Sequence, residues 1–232
     1  MNLPPRRRCD GVPMTGVPEV HRPNPVRQAI KSALLGVVPR SRLIASLPPG
    51  EHSVALTFDD GPHPEWTPRI LDTLAACGAH ATFFVIGERA VRHRELIKRL
   101  AAEGHAVGHH SWTHSEPSTT PARVLLEETR RTRSLLEEIT GQPAPLFRPP
   151  HGKLTAAKLM GIWWQRNAIV LWNKDPKDYQ LPDADAVVAW LTRHPLEHGD
   201  ILLMHDVHQH TAAALPRILV GTRLRCEALR TS

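Results

Sequence analysis

The sequence predicts a parallel α/β protein, and two observations carry that reading. From Ser53 onward, short β-type runs alternate with helical patterns six times in succession. Polar residues able to do chemistry, Asp59, Asp60, His110, Arg148, Asp175, Asp178 and His205, fall at or just after the C-terminal ends of those runs. In parallel α/β folds that is the edge where sites are built. The rhythm alone does not separate a barrel from a doubly wound open sheet.

The elements follow in order. VALTF (54–58) is a β run, and TPRILDTLAAC (67–77) is helical, with Pro68 tolerated in its first turn. ATFFVIG (81–87) is β-like, and ERAVRHRELIKRLAAEG (88–104) reads as one helix stopped by Gly104. HAVGHHS (105–111) is a weaker strand, before a long helix over 121–141 that closes at Gly141. APLFRPP (144–150) is a short strand and 155–167 a helix. AIVLWN (168–173) is a strand, and 183–194 a helix with Asp183 placed as its cap. DILLMHD (200–206) is a strand, and 211–229 a last helical segment that Pro216 would kink. Upstream, residues 1–25 read as irregular and 26–38 as a short amphipathic helix.

Length and charge divide the chain unevenly. Its 232 residues suit one domain with a real core, and the apolar fraction is 41%. Residues 1–50 hold eight Lys/Arg against two Asp/Glu, whereas 51–232 hold 21 of each, so the whole net charge of +6 sits in the leader. The expected division is a basic, partly irregular leader over 1–50 and a neutral domain over 51–232. The leader is expected to be solvated or to make weak contact with an anionic surface. No nucleic-acid reader motif accompanies it, so nucleic acid is not expected as a partner. Three cysteines with no C-x-x-C pair suggest neither a disulfide framework nor a thiolate metal site, and Cys77 reads as core. No stretch of 18 apolar residues is present, and the start lacks the apolar region of a signal peptide. Location is left between cytoplasm and cell envelope.

The chemistry begins with the doublet Asp59-Asp60, followed by Gly61-Pro62. Two like charges side by side are costly unless a positive group joins them. His110 and His114 are four apart, so one helical turn would put both imidazoles on one face. With a carboxylate they make the two-histidine, one-carboxylate set of a catalytic zinc site. One aspartate of the doublet would then ligate while the other acts as base. Arg148, held by two prolines, offers a fork for a carboxylate. His205 is a candidate general acid, and either Asp175 or Asp178 could orient an imidazole. Trp66 and Trp112 lie inside these motifs and are candidates to line a groove.

TFDDGP, HSWTH, RPPHG, DPKDY and LMHD, in this order, resemble the polysaccharide deacetylase family, also called the NodB-homology or carbohydrate esterase 4 family. The resemblance spans about residues 53–210. It implies a distorted (β/α) barrel of about seven parallel strands, closed or left incomplete at its C-terminal end. It implies removal of acetyl groups, N-acetyl before O-acetyl, from a polysaccharide or oligosaccharide. It also implies a divalent metal, commonly zinc, with cobalt, nickel or manganese as alternatives. By motif, Asp59 resembles the base, and Asp60, His110 and His114 the metal ligands. Arg148 resembles the residue that positions the base, His205 the acid, and Asp178 its tuning partner. Leu203 resembles the residue lining the acetyl pocket, and the main-chain N–H of His151 the oxyanion donor; Trp112 and Tyr179 join them as substrate contacts. His151 and Tyr179 depart from the aromatic residue and the tryptophan often found there. The tail TRLRCEALRTS lacks the apolar run of a closing strand. Two other readings use the same residues: a sugar-binding homologue without turnover, and a non-haem iron oxygenase built on the same pair of histidines and aspartate.

Overall fold

β2 (Ser53–Asp59), which carries the doublet, is buried along its whole length. In the computed structural model, which describes residues 38–39, 41–48, 52–222 and 224–230, β2 lies one strand in from the end of an all-parallel sheet. The other strands are β1 (Leu43–Ile44), β3 (Ala81–Val85), β4 (Ala106–His109), β5 (Leu146–Phe147), β6 (Ala168–Val170), β7 (Ile201–His205) and β8 (Arg225–Cys226). Their order is β1-β6-β5-β4-β3-β2-β7, with β8 paired to the start of β2. Between β6 and β7 runs a single parallel bridge, Lys174 to Leu202. The fold is therefore an incomplete (β/α) barrel. Residues 1–37, with nearly all of the expected helix over 26–38, lie outside the described residues. Leu43 and Ile44 pair with Ile169 and Val170, so the sheet takes in residues upstream of position 51.

The apolar runs work because both faces are covered. Facing inward, Ala55, Phe84, Leu146, Ala168, Val170 and Ile201 pack together. Facing outward, Val54, Leu56, Phe58, Phe83, Val85, Leu202 and Met204 pack under helices. These are α1 (Trp66–Ala76), α2 (Gly87–Arg92), α3 (Arg94–Ala102), α4 (Ala122–Thr140), α5 (Ala156–Trp164), α6 (Ala184–Arg193) and α7 (Gln209–Gly221). Each fully buried Phe or Leu contributes about 1.5–3 kcal/mol, so this two-sided core anchors the strand ends that hold the polar residues.

Most boundaries match the sequence pattern. α4 stops at Gly141, whose left-handed φ of 66° lets its N–H reach Glu137 O. Asp183 caps α6 by accepting from Ala186 N at 2.8 Å. Three expectations need correction. The helix expected over 88–104 breaks at His93 (φ −130°, ψ 45°); neither Pro nor Gly marks the break, so the pattern reads as continuous. The last helix ends at Gly221, and the tail returns as β8, two residues long, pairing Ser53 with Arg225. Cys77 is exposed, because it follows α1 beyond Leu74, the last buried position of that helix. Among the described residues no helix is long and apolar enough to cross a membrane.

Candidate active site

Alternation along β2 puts Thr57 and Asp59 on the same side as inward-facing Ala55. Parallel pairing sets Thr57 beside Leu203 and Asp59 beside His205 on β7. From β5, inward-facing Leu146 is followed two residues later by Arg148, which is fully buried. Its Nη1 donates to Asp59 Oδ1 and to Thr57 Oγ1, both at 2.7 Å. The guanidinium lies 4.2 Å from the centre of the Phe84 ring. Burial raises the Asp59 pKa above its ordinary value against the pull of Arg148 and His205. Asp59 is thus a carboxylate of increased basicity, held in one orientation.

Asp60, His110 and His114 converge beside it, with one donor atom from each lying within 4.8 Å of the others. His114 Nε2 stands 3.3 Å and His110 Nε2 3.6 Å from Asp60 Oδ1. The helical turn expected at 110–114 does not form. Ser111 (φ 64°) and His114 (φ 59°) are left-handed, and Ser111 Oγ accepts from His114 N at 3.0 Å. This kinked loop, not helical spacing, brings the two rings to 4.8 Å. Asp60 itself has φ 74°, an uncommon conformation for a residue with a side chain and one that concentrates at functional sites.

The donor set fits a divalent ion. Asp60 Oδ1 is buried with no hydrogen-bond partner, which calls for an explanation. His110 Nδ1 lies 2.7 Å from Arg148 O, so it donates there and leaves the Nε2 lone pair facing Asp60. Burial drives the His110 pKa down to about 3 and lowers that of His114. Both rings are therefore neutral, the form that ligates metals. Two imidazoles and one carboxylate suit zinc-type chemistry and leave a coordination position open.

On the other side of Asp59, His205 Nδ1 is 2.7 Å from Asp178 Oδ1. Asp178 Oδ2 accepts from His205 N at 2.8 Å and from Thr211 Oγ1 at 2.7 Å. Burial opposes an imidazolium here. The Asp178 bond and charge, with the charges of Asp59 and Asp60, outweigh it and raise the His205 pKa to about 9. For Asp178, burial is likewise outweighed by these donors, and its pKa falls. Of the two aspartates left open by the sequence, Asp178 is the one bonded to His205. Asp175 Oδ1 instead accepts from Lys177 N at 2.8 Å.

The remaining candidates lie around this centre. Leu203 is buried on the inner face, in register with Thr57. Tyr179 is 49% exposed, its ring edge-on to His205 at 5.3 Å. His151 (φ 55°) stands with its ring 4.9 Å from that of His114 and its Nε2 3.6 Å from Glu116. Trp112 packs elsewhere: its ring lies 3.5 Å from the Arg131 guanidinium and against Gly87, where a Cβ would overlap it. Trp66 stacks with His63 at 6.1 Å. Beside Asp60 and His114 opens a cavity of about 410 Å³, also lined by Ile86, Glu88, Arg89, Arg92 and Thr113.

Four supporting residues escape the sequence reading: Thr57, Thr67, Asp206 and Thr211. Alternation from Asp59 could have found Thr57. Asp206 closes the quoted LMHD motif, but nothing local shows what it binds: Thr67 reaches it across 139 positions, and Thr211 reaches Asp178 across 33.

Residues 46–161 match the sequence model of the family described as polysaccharide deacetylase. A peptidoglycan-N-acetylglucosamine deacetylase of Bacillus cereus is 35% identical over 178 residues, covering 75% of this chain and 83% of the relative. A chitooligosaccharide deacetylase of Rhizobium leguminosarum bv. phaseoli is 40% identical over 159 residues, 68% of this chain and 69% of the relative. The crystal structure of the Bc1960 peptidoglycan N-acetylglucosamine deacetylase superposes with a TM-score of 0.76 at 30% identity, covering 81% of this chain and 90% of that one. Sequence, fold and relatives agree that the chain belongs to the polysaccharide deacetylase family.

Proposed function

We propose that this protein hydrolyses the N-acetyl group of an acetylated polysaccharide or oligosaccharide, with a divalent ion, zinc, held by Asp60, His110 and His114. One observation carries the reading. A base held by arginine (Asp59–Arg148) and an acid held by aspartate (His205–Asp178) stand in register on adjacent strands, beside the Asp60–His110–His114 cluster. When bound, such an ion polarises a carbonyl and lowers the pKa of water toward ~7.

The chain's own groups do the rest. Asp59 takes a proton from the attacking water, and Arg148 keeps its carboxylate aimed inward. His205 enters the reaction protonated, and its Nε2 gives that proton to the departing nitrogen. The Nδ1–H is meanwhile held by Asp178. The main-chain N–H of His151 is assigned to the developing oxyanion, Leu203 to the acetyl methyl, and Tyr179 to the sugar. Water and amide thus become acetate and a free amine. The relatives named for peptidoglycan N-acetylglucosamine and for chitooligosaccharides support an N-acetylated glycan as substrate.

Acetate release from a panel of N- and O-acetylated glycans tests the proposal. Release from an N-acetylated member, lost with chelator and regained with zinc, is expected. No release from any member at any metal loading would refute it.

A further inference from the structure

We infer that Asp206, which takes no part in the chemistry above, is a positioning residue: its carboxyl fastens the turn after the acidic doublet to the end of β7. Resting on the proposed function, this assigns Asp206 the spacing between the ligand and base on one strand end and the acid on the other.

The contacts are specific. Asp206 is fully buried, and its Oδ2 accepts from Thr67 Oγ1 at 2.5 Å. Thr67 Oγ1 in turn accepts from His63 N at 2.8 Å. His63 Nδ1 accepts the N–H groups of Glu65 and Trp66 at 3.2 and 3.3 Å. One chain of bonds thus runs from the residue after His205, through the first turn of α1, into the loop that follows Asp60. The carboxylate also lies flat on Gly61, where any Cβ would overlap it. At the main chain, Asp206 N reaches Asp59 O at 3.4 Å.

The arrangement costs stability. Asp206 Oδ1 is buried with no hydrogen-bond partner, and among the described residues no cation pairs with the group. A half-satisfied buried carboxyl is worse for stability than an apolar side chain of the same shape. Its value lies in direction: only an acceptor at this point fixes the Thr67 hydroxyl and, through it, the path of residues 61–67.

The test uses Asp206→Val and Thr67→Val, each of which removes one end of the 2.5 Å bond, and their double variant. Thr67→Ser restores the hydroxyl. Three quantities are read: zinc affinity by competition with a chromophoric chelator, kcat separately from KM, and folding by circular dichroism. Each valine variant is expected to lose about 10-fold or more in zinc affinity and in kcat, the usual cost of removing an outer hydrogen bond, with KM little changed. The double variant is expected to be no worse than either single one, and Thr67→Ser to recover most of the loss. Folded Thr67→Val with native zinc affinity and native kcat would overturn the assignment, as would losses that add fully in the double variant. Should Asp206→Val not fold, the near-isosteric Thr67→Val against Thr67→Ser decides alone. Should the native protein release no acetate, the proposed function fails, while the zinc-affinity arm still decides the role of Asp206.

Discussion

Asp59 and His205 stand side by side in register on the adjacent parallel strands β2 and β7. Register partners in a parallel sheet project to the same face, so both side chains enter the barrel mouth together. Each is held by a different buried partner, Arg148 for the carboxylate and Asp178 for the imidazole. The two environments suit the opposite roles proposed: Arg148 favours the charged form of Asp59 against the burial that raises its pKa, while Asp178 favours the imidazolium of His205. The proposed base and acid, about one strand spacing apart, ~4.8 Å, suit removal of a proton on one side of a carbonyl and delivery on the other.

Asp59→Asn keeps the shape but removes the proposed base. Turnover is expected to fall about 10²–10⁴-fold, with zinc still bound through Asp60, His110 and His114. Acetate assays alongside metal analysis check this; a variant that turns over normally would remove Asp59 from the mechanism.

Arg148→Met leaves Asp59 buried without its partner. Breaking a fully buried ion pair costs about 3–5 kcal/mol, read as a lower urea midpoint at unchanged slope. The double variant Arg148→Met with Asp59→Asn is expected to regain part of that loss, since no lone charge remains.

In its proposed role as acid His205 must be protonated, and its pKa stands raised from 6.5 to about 9. Activity is therefore expected to hold up to that range and decline as pH rises through it. In Asp178→Asn the alkaline limb should move to lower pH. The linkage to stability has the same sign. The folded value exceeds the unfolded one, so the contribution is whole below pH 6.5 and is lost as pH climbs through about 9. An alkaline limb unmoved by Asp178→Asn would rule out this pairing as the control.

His114→Ala removes a proposed ligand itself. Its zinc affinity is expected to drop by more than the roughly 10–100-fold that loss of an outer contact costs. Equal zinc affinity in this variant, measured by chelator competition, would place the ion elsewhere.

Gly108→Ala tests the scaffold. A Cβ on this β4 residue would lie 2.7 Å from the Phe84 ring and 2.8 Å from the main-chain oxygen of Leu146. Overpacking of that kind costs about 1–3 kcal/mol, to be seen as a lower melting temperature.

By itself the sequence determined the strand–helix rhythm, the caps at Asp183 and Gly141, and the gathering of polar residues at strand ends. Those features depend on periodicity and on neighbours a few positions apart, which a linear reading can see. Tertiary structure decided the rest. It set the left-handed kink that brings His110 to His114, the choice of Asp178 over Asp175, and the turning of Trp112 toward Arg131. It also decided the break at His93, the replacement of a helical tail by β8, and the burial of Asp206 against Thr67. The physical reason is that most of these depend on contacts between segments far apart in the chain, and a short-range pattern carries no record of where two such segments will meet; the kink at 111–114 and the break at His93 rest instead on backbone angles that those residue types do not announce.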